Sequence, residues 1–122
     1  MKNLLLGTLL LSMSLAACSS SAYHKISASK AKDMMAEGSV IIVDVRTQEE
    51  YDEGHIQGSI LIPNETISNQ PPVLLPNKDA VILVYCRSGN RSKQAADKLV
   101  AMGYTKVYDF GGVTDWKYGL VK

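Results

Sequence analysis

One cysteine stands at the end of an apolar run and is followed at once by a cluster of polar and basic residues, Val84-Tyr85-Cys86-Arg87-Ser88-Gly89-Asn90-Arg91-Ser92. A thiol reacts as its thiolate, and a thiolate needs positive potential around it. These residues offer that potential in three ways. Gly89 permits a tight turn in which successive backbone N–H groups face inward as an anion cradle. A helix predicted to begin directly after the loop points the positive end of its dipole at the sulfur. Arg87 and Arg91 add full charges. Cys86 is therefore the candidate nucleophile, and Arg87, Ser88, Gly89, Asn90 and Arg91 form the candidate substrate-binding loop. A buried cysteine serving as a small hydrophobe is the alternative, and the polar, glycine-containing stretch behind it argues against that.

Such a loop needs a strand that ends at the cysteine and a helix that starts just beyond it. Residues 80–85 and 40–45 are apolar without alternation, the pattern of strands buried on both faces in a parallel sheet. Ser27 is placed to cap a helix over 28–37 that Gly38 ends. Thr47 followed by Glu50 is a capping box for a short helix ending at Gly54. Residues 59–62 read as a short strand stopped by Pro63. Asn64 to Asp79 contains Pro71, Pro72 and Pro76, so one or two helical turns and then irregular chain are expected there.

Ala95, Ala96, Leu99, Val100 and Met102 share one face of a helix over 91–102 that Gly103 ends. Residues 106–110 form a further strand, Gly111-Gly112 a tight turn beside the cysteine loop, and a short helix surrounds Trp116. Strands alternating with helices predict an α/β domain with a central, mostly parallel sheet. In such sheets ligands bind at the carboxyl ends of the strands, where Cys86 stands.

The chain has 122 residues, room for one domain. Residues 1–17 have the layout of an export signal: a basic start at Lys2, a leucine-rich stretch, and Leu15-Ala16-Ala17 before Cys18. This ending resembles the bacterial lipoprotein signal, which implies cleavage before Cys18 and a lipid on that cysteine. Residues 18–23 would be a lipidated tether and residues 24–122 the domain. The protein would then be exported and membrane-anchored at the periplasmic face of the cell envelope, on the outer membrane if the cell has two. Thirteen Lys and Arg against twelve Asp and Glu leave a net charge of +1, which offers nothing for a nucleic-acid partner. With Cys18 lipidated, Cys86 has no disulfide partner within the chain.

The stretches DVRTQEEYDEGHIQGSILIP (Asp44 to Pro63), VYCRSGNRS (Val84 to Ser92) and GGVTDW (Gly111 to Trp116) together resemble a single-domain rhodanese, a sulfurtransferase. The resemblance implies a three-layer domain with five strands flanked by helices, and a Cys86 that cycles through a persulfide. Its small-molecule partners would be a sulfur donor such as thiosulfate or a polysulfide, and an acceptor, cyanide or a thiol. No cofactor is implied. Four residues separate Cys86 from Arg91, whereas the related cysteine phosphatases enclose five and usually place a histidine where Tyr85 stands. A smaller cradle suits a sulfane sulfur better than a tetrahedral phosphate. A phosphatase or arsenate reductase is thereby disfavoured, and a non-enzymatic persulfide carrier or sulfur-sensing module stays open.

Asp44 and Arg46 are read as scaffold near the site, Asp44 accepting hydrogen bonds and Arg46 pairing with Glu50 or Glu53. His55 is structural, because attack by a preformed thiolate needs no base. His24 falls in the tether region and is expected to be solvated. Two histidines and one available cysteine give no metal-ligand spacing. Tyr104 and Trp116 are expected in the core.

Overall fold

The computed structural model describes residues 21–122; Cys18 and the expected leader lie outside them. The chain forms β1 (Tyr23–Lys25), α1 (Ala28–Glu37), β2 (Val40–Asp44), α2 (Gln48–Glu53), β3 (Ile60–Leu61), β4 (Val81–Cys86), α3 (Asn90–Ala101) and β5 (Val107–Gly112), with single 3-10 turns at Asn64–Thr66 and Val113–Asp115. The five strands make one sheet in the order β1-β5-β4-β2-β3. Every pairing in it is parallel. The fold is thus the expected α/β architecture.

Local signals set the helix boundaries. The Ser27 hydroxyl accepts from the Lys30 N–H at 3.0 Å and starts α1, which ends at Gly38. Thr47 and Glu50 close a reciprocal capping box on α2. Alternation along β4 then divides the core. Ile82, Val84 and Cys86 point to the side where α3 packs through Ala95, Ala96 and Leu99. Leu83 and Tyr85 point to the other, against Ala31 of α1 and Phe110. The cysteine therefore lies on the α3 side, facing the start of that helix.

Four expectations need correction. Tyr23 is not tether and His24 is not solvated: with Lys25 they pair with β5, and His24, half-buried, stacks on Tyr108 with ring centroids 4.6 Å apart. Arg46 pairs with neither Glu50 nor Glu53 but with Asp44, two residues back, because alternate positions of an extended chain share one side. Gly111-Gly112 is not a free turn but the end of β5. Trp116 is half-buried, flanking the core rather than filling it, whereas Tyr104 is 1% exposed as expected.

Candidate active site

The sheet carries an irregularity beside the cysteine. Val84 pairs with Asp109 and Cys86 with Gly112, so β5 spends three residues where β4 spends two. That bulge turns the Gly111 N–H onto the Asp109 carboxylate at 3.0 Å and its carbonyl towards Ser92. It also brings Gly112 under the loop. A Cβ at position 112 would collide with the Arg87 carbonyl, so only glycine lets β5 approach this closely. The Arg87 carbonyl in turn accepts from the Thr114 N–H at 3.2 Å and its hydroxyl at 3.1 Å. The segment Gly112 to Thr114 is a seat on which the first peptide of the cysteine loop rests.

Above that seat the loop closes over the sulfur. Cys86 is 1% exposed. Gly89, at φ 103°, caps α3 in a left-handed conformation that a side chain would disfavour, and its N–H donates to Cys86 Sγ at 3.0 Å. Burial pushes the thiol up. The Ser92 hydroxyl and the N–H groups of Ser92, Gly89 and Ser88 together outweigh it, and the net shift is down, towards thiolate. The dipole of the twelve-residue α3 adds to this potential.

The two arginines of the loop behave differently. Arg91 forks onto Glu50 at 2.7 and 3.0 Å, tying the loop to α2. That contact, opposed by partial burial and helped by the Thr47 cap, lowers the Glu50 carboxyl to about 2. The Arg91 side chain is thus a strut between loop and helix. The Arg87 side chain is exposed and stands on the wall of a cavity of about 400 Å³ shared with Arg46, Glu50, Glu53, Thr114 and Leu120. Ser88 and Asn90 are exposed at the loop surface.

Beneath the cavity lies the Asp44 network. Arg46 grips Asp44 through Nε at 2.9 Å and Nη2 at 2.7 Å and reaches the Gly54 carbonyl at 2.6 Å. Tyr85, fully buried, donates to Asp44 at 2.6 Å and accepts from the Ile56 N–H at 3.0 Å. His55 stacks on Tyr51 and its Nδ1 lies 2.8 Å from the Tyr51 carbonyl, so it is engaged in structure. Among the described residues no three His, Cys, Asp or Glu side chains gather as a metal site.

Two residues that brace the cysteine loop were not singled out by sequence reasoning. Ser92 is fully buried at the first turn of α3, and Asp109 is fully buried in β5. An aspartate inside an otherwise apolar strand is itself a signal, since a buried charge needs partners.

Residues 27–118 match the family described as "Rhodanese-like domain". The thiosulfate sulfurtransferase PspE of Escherichia coli (strain K12) is 40% identical over 73 residues, 60% of this chain and 70% of that protein. The thiosulfate sulfurtransferase GlpE of Pseudomonas entomophila (strain L48) is 36% identical over 98 residues, 80% of this chain and 87% of that one. A solved structure of a "rhodanese with anions from E. coli" superposes with a TM-score of 0.62 at 37% identity, over 68% of this chain and 98% of the other. A domain of tRNA uridine(34) hydroxylases also matches, over 27% of the length of one from Photorhabdus laumondii.

Proposed function

The chain belongs to the rhodanese-like family, and from that premise we propose that it is a thiosulfate-type sulfurtransferase working through a persulfide on Cys86. The observation that carries this reading is the enclosed sulfur of Cys86, held towards thiolate by loop N–H groups despite its burial. In the first half-reaction the thiolate attacks the outer sulfur of thiosulfate, the S–S bond breaks, and sulfite leaves with the electron pair. Cys86 then carries Cys–S–S⁻. In the second, cyanide or a thiolate attacks that outer sulfur and the Cys86 thiolate is the leaving group. In each step one bond to the transferred sulfur forms as another breaks and that sulfur is already at the sulfane level in the donor, so no oxidant is consumed.

The loop N–H groups stabilise the negative charge on either sulfur without reorganising. Arg87, exposed beside the cavity, is the residue placed to meet the oxyanion end of the donor. Ser88 and Asn90 complete the donor-facing loop surface, and Arg91 holds the loop in shape through Glu50. Two relatives carry the name thiosulfate sulfurtransferase, and the E. coli rhodanese structure was solved with anions, which supports an anionic donor.

Incubating the purified chain with thiosulfate is expected to add one sulfur by intact mass, and cyanide to remove it as thiocyanate. Cys86→Ser is expected to abolish both. Thiocyanate released by that variant at the wild-type rate would overturn the assignment.

We further propose that residues 1–17 direct export and that Cys18 carries a lipid, leaving Ser19 to Ala22 as a short tether at the envelope. Incorporation of a labelled fatty acid that survives Cys18→Ala would refute this.

A further inference from the structure

The last residue of β1 brings to the reactive loop a cation that the loop's own sequence does not contain. Parallel pairing sets Lys25 level with Asp109, near the carboxyl end of the sheet where Cys86 stands. Its ammonium lies over two glycines. A Cβ built on Gly89 would be 3.9 Å from Lys25 Nζ, and one built on Gly111 3.8 Å. Both glycines have positive φ, 103° and 85°, so the ammonium rides on bare backbone with no side chain between. The Gly89 N–H is the one that donates to Cys86 Sγ at 3.0 Å, which puts the ammonium no more than about 10 Å from the sulfur.

Lys25 is not claimed by an ion pair. Asp109 Oδ2 is 3.9 Å from Nζ, too far for a hydrogen bond, and the Lys25 side chain is 59% exposed. Asp109 already accepts from the Tyr23 hydroxyl at 2.9 Å, the Gly111 N–H at 3.0 Å and the Ser92 hydroxyl at 2.7 Å. An ammonium has three N–H donors, and those of Lys25 are left to what arrives from solvent. Asp109 is fully buried, so an incoming anion meets the ammonium first. In front of Lys25 is a cavity of about 560 Å³, bordered among others by Thr114, Asp115 and Lys117, so that two ammonium groups face one carboxylate. It meets the Arg87 cavity at Thr114, whose hydroxyl holds the Arg87 carbonyl.

We infer that Lys25 is an anion-binding residue of the reactive loop, a second cation beside Arg87 that draws negatively charged reagents to Cys86. The loop N–H groups act on charge carried by the sulfur. Lys25 acts earlier, on the charge the reagent brings with it, and a dianion gains about twice what a monoanion gains. In the proposed sulfur transfer that dianion is thiosulfate, which Lys25 favours over an uncharged donor. This choice of donor rests on the proposed function, whereas the attraction of anions to Cys86 does not.

The test compares the alkylation of Cys86 by anionic iodoacetate and by neutral iodoacetamide in the full chain, resolved from Cys18 by peptide mass. A change in the thiol's own titration alters both rates alike and cancels in their ratio. No sulfur donor is present, so a chain that failed to take up sulfur would still answer the question. At about 10 mM ionic strength, where charges act over about 30 Å, Lys25→Met is expected to lower the iodoacetate to iodoacetamide ratio about threefold. Lys25→Arg is expected to restore it, and in about 1 M salt the difference should vanish. Lys106→Met removes the same charge just before β5, at the far end of that strand, and is expected to change the ratio by about 1.3-fold at most. Loading by thiosulfate is expected to fall about tenfold in Lys25→Met.

An unchanged alkylation ratio in Lys25→Met overturns the inference. So does an equal drop in Lys106→Met, which would mean net charge rather than position. A drop that persists in 1 M salt, or that Lys25→Arg does not restore, would mean altered packing and overturns it as well. In a chain that does load sulfur, an unchanged rate with thiosulfate in Lys25→Met overturns the choice of donor.

Discussion

Two fully buried aspartates flank the strand that ends in Cys86, and their surroundings begin alike. Asp44 on β2 accepts a tyrosine hydroxyl, from Tyr85, and the N–H of the residue two further on, Arg46. Asp109 on β5 accepts a tyrosine hydroxyl, from Tyr23, and the N–H of the residue two further on, Gly111. They part at the counter-charge. Asp44 is gripped by a guanidinium that is itself buried, while Asp109 has only an exposed ammonium at 3.9 Å and shares the proton of Ser92. A carboxylate fully paired with its own cation is closed to its neighbours. One that is not must be satisfied by neutral donors, here two hydroxyls and a backbone N–H. The Asp44 side is held by an ion pair, and the Asp109 side by hydrogen bonds from neutral groups.

The contrast in counter-charge has its largest expected consequence at Arg46. Arg46→Met leaves Asp44 buried with no cation and is expected to cost about 3–5 kcal/mol in urea unfolding. Cys86 in the folded fraction should titrate as in the wild type. A cost no larger than that of Lys25→Met would erase the distinction between the two sides.

Next in size is Gly112→Ala, which pushes on the Arg87 carbonyl from below. It is expected to cost about 1–3 kcal/mol and, by moving the loop, to slow sulfur loading about a hundredfold. Loading at the wild-type rate would show that the loop does not depend on its seat.

Glu50→Gln tests the strut. The folded-state carboxyl sits at about 2, below its ordinary value, so the Arg91 pair stabilises the fold above the unfolded pKa and loses that contribution as pH falls towards 2. Both side chains are partly exposed, at 31% for Arg91 and 22% for Glu50. The difference between wild type and variant is therefore expected to be only about 1 kcal/mol at neutral pH, shrinking below about pH 4.3. A difference that grew on acidification would contradict the pairing. Smallest is Lys25→Met, expected to change stability by about 0.3 kcal/mol, with the effect vanishing in high salt. A large effect would give Asp109 the counter-charge it is argued to lack.

How much of this was legible in the sequence follows from where each signal resides. The apolar runs of β2 and β4, the caps at Ser27 and Thr47, and the polar loop after Cys86 are local, and they placed the sheet centre, two helices and the nucleophile. Strand β1 has no such signal. Tyr23-His24-Lys25 is three residues long and lies at the sheet edge, and its partner Val107–Asp109 is more than eighty residues away. Missing β1 meant missing Tyr23 and Lys25, and with them half the surroundings of Asp109. Arg46 was mispaired for a similar reason. Glu50 is near Arg46 in sequence, but folding presents it to Arg91 across the α2–loop contact and leaves Arg46 to Asp44, the last residue of the preceding strand.

Because every strand runs the same way, the sheet has an entrance end and a working end. Ala22 enters beside the start of β5, its carbonyl taking the Val107 N–H, while Cys86 faces Gly112 at the far end of that strand. Five residue steps of strand, about 16 Å, separate the two levels. A surface, support or anchor joined to the chain upstream of residue 21 is thus joined at the end opposite the sulfur. A molecule fixed that way would present its reactive loop outward, to solutes arriving from solution rather than along the surface that holds it.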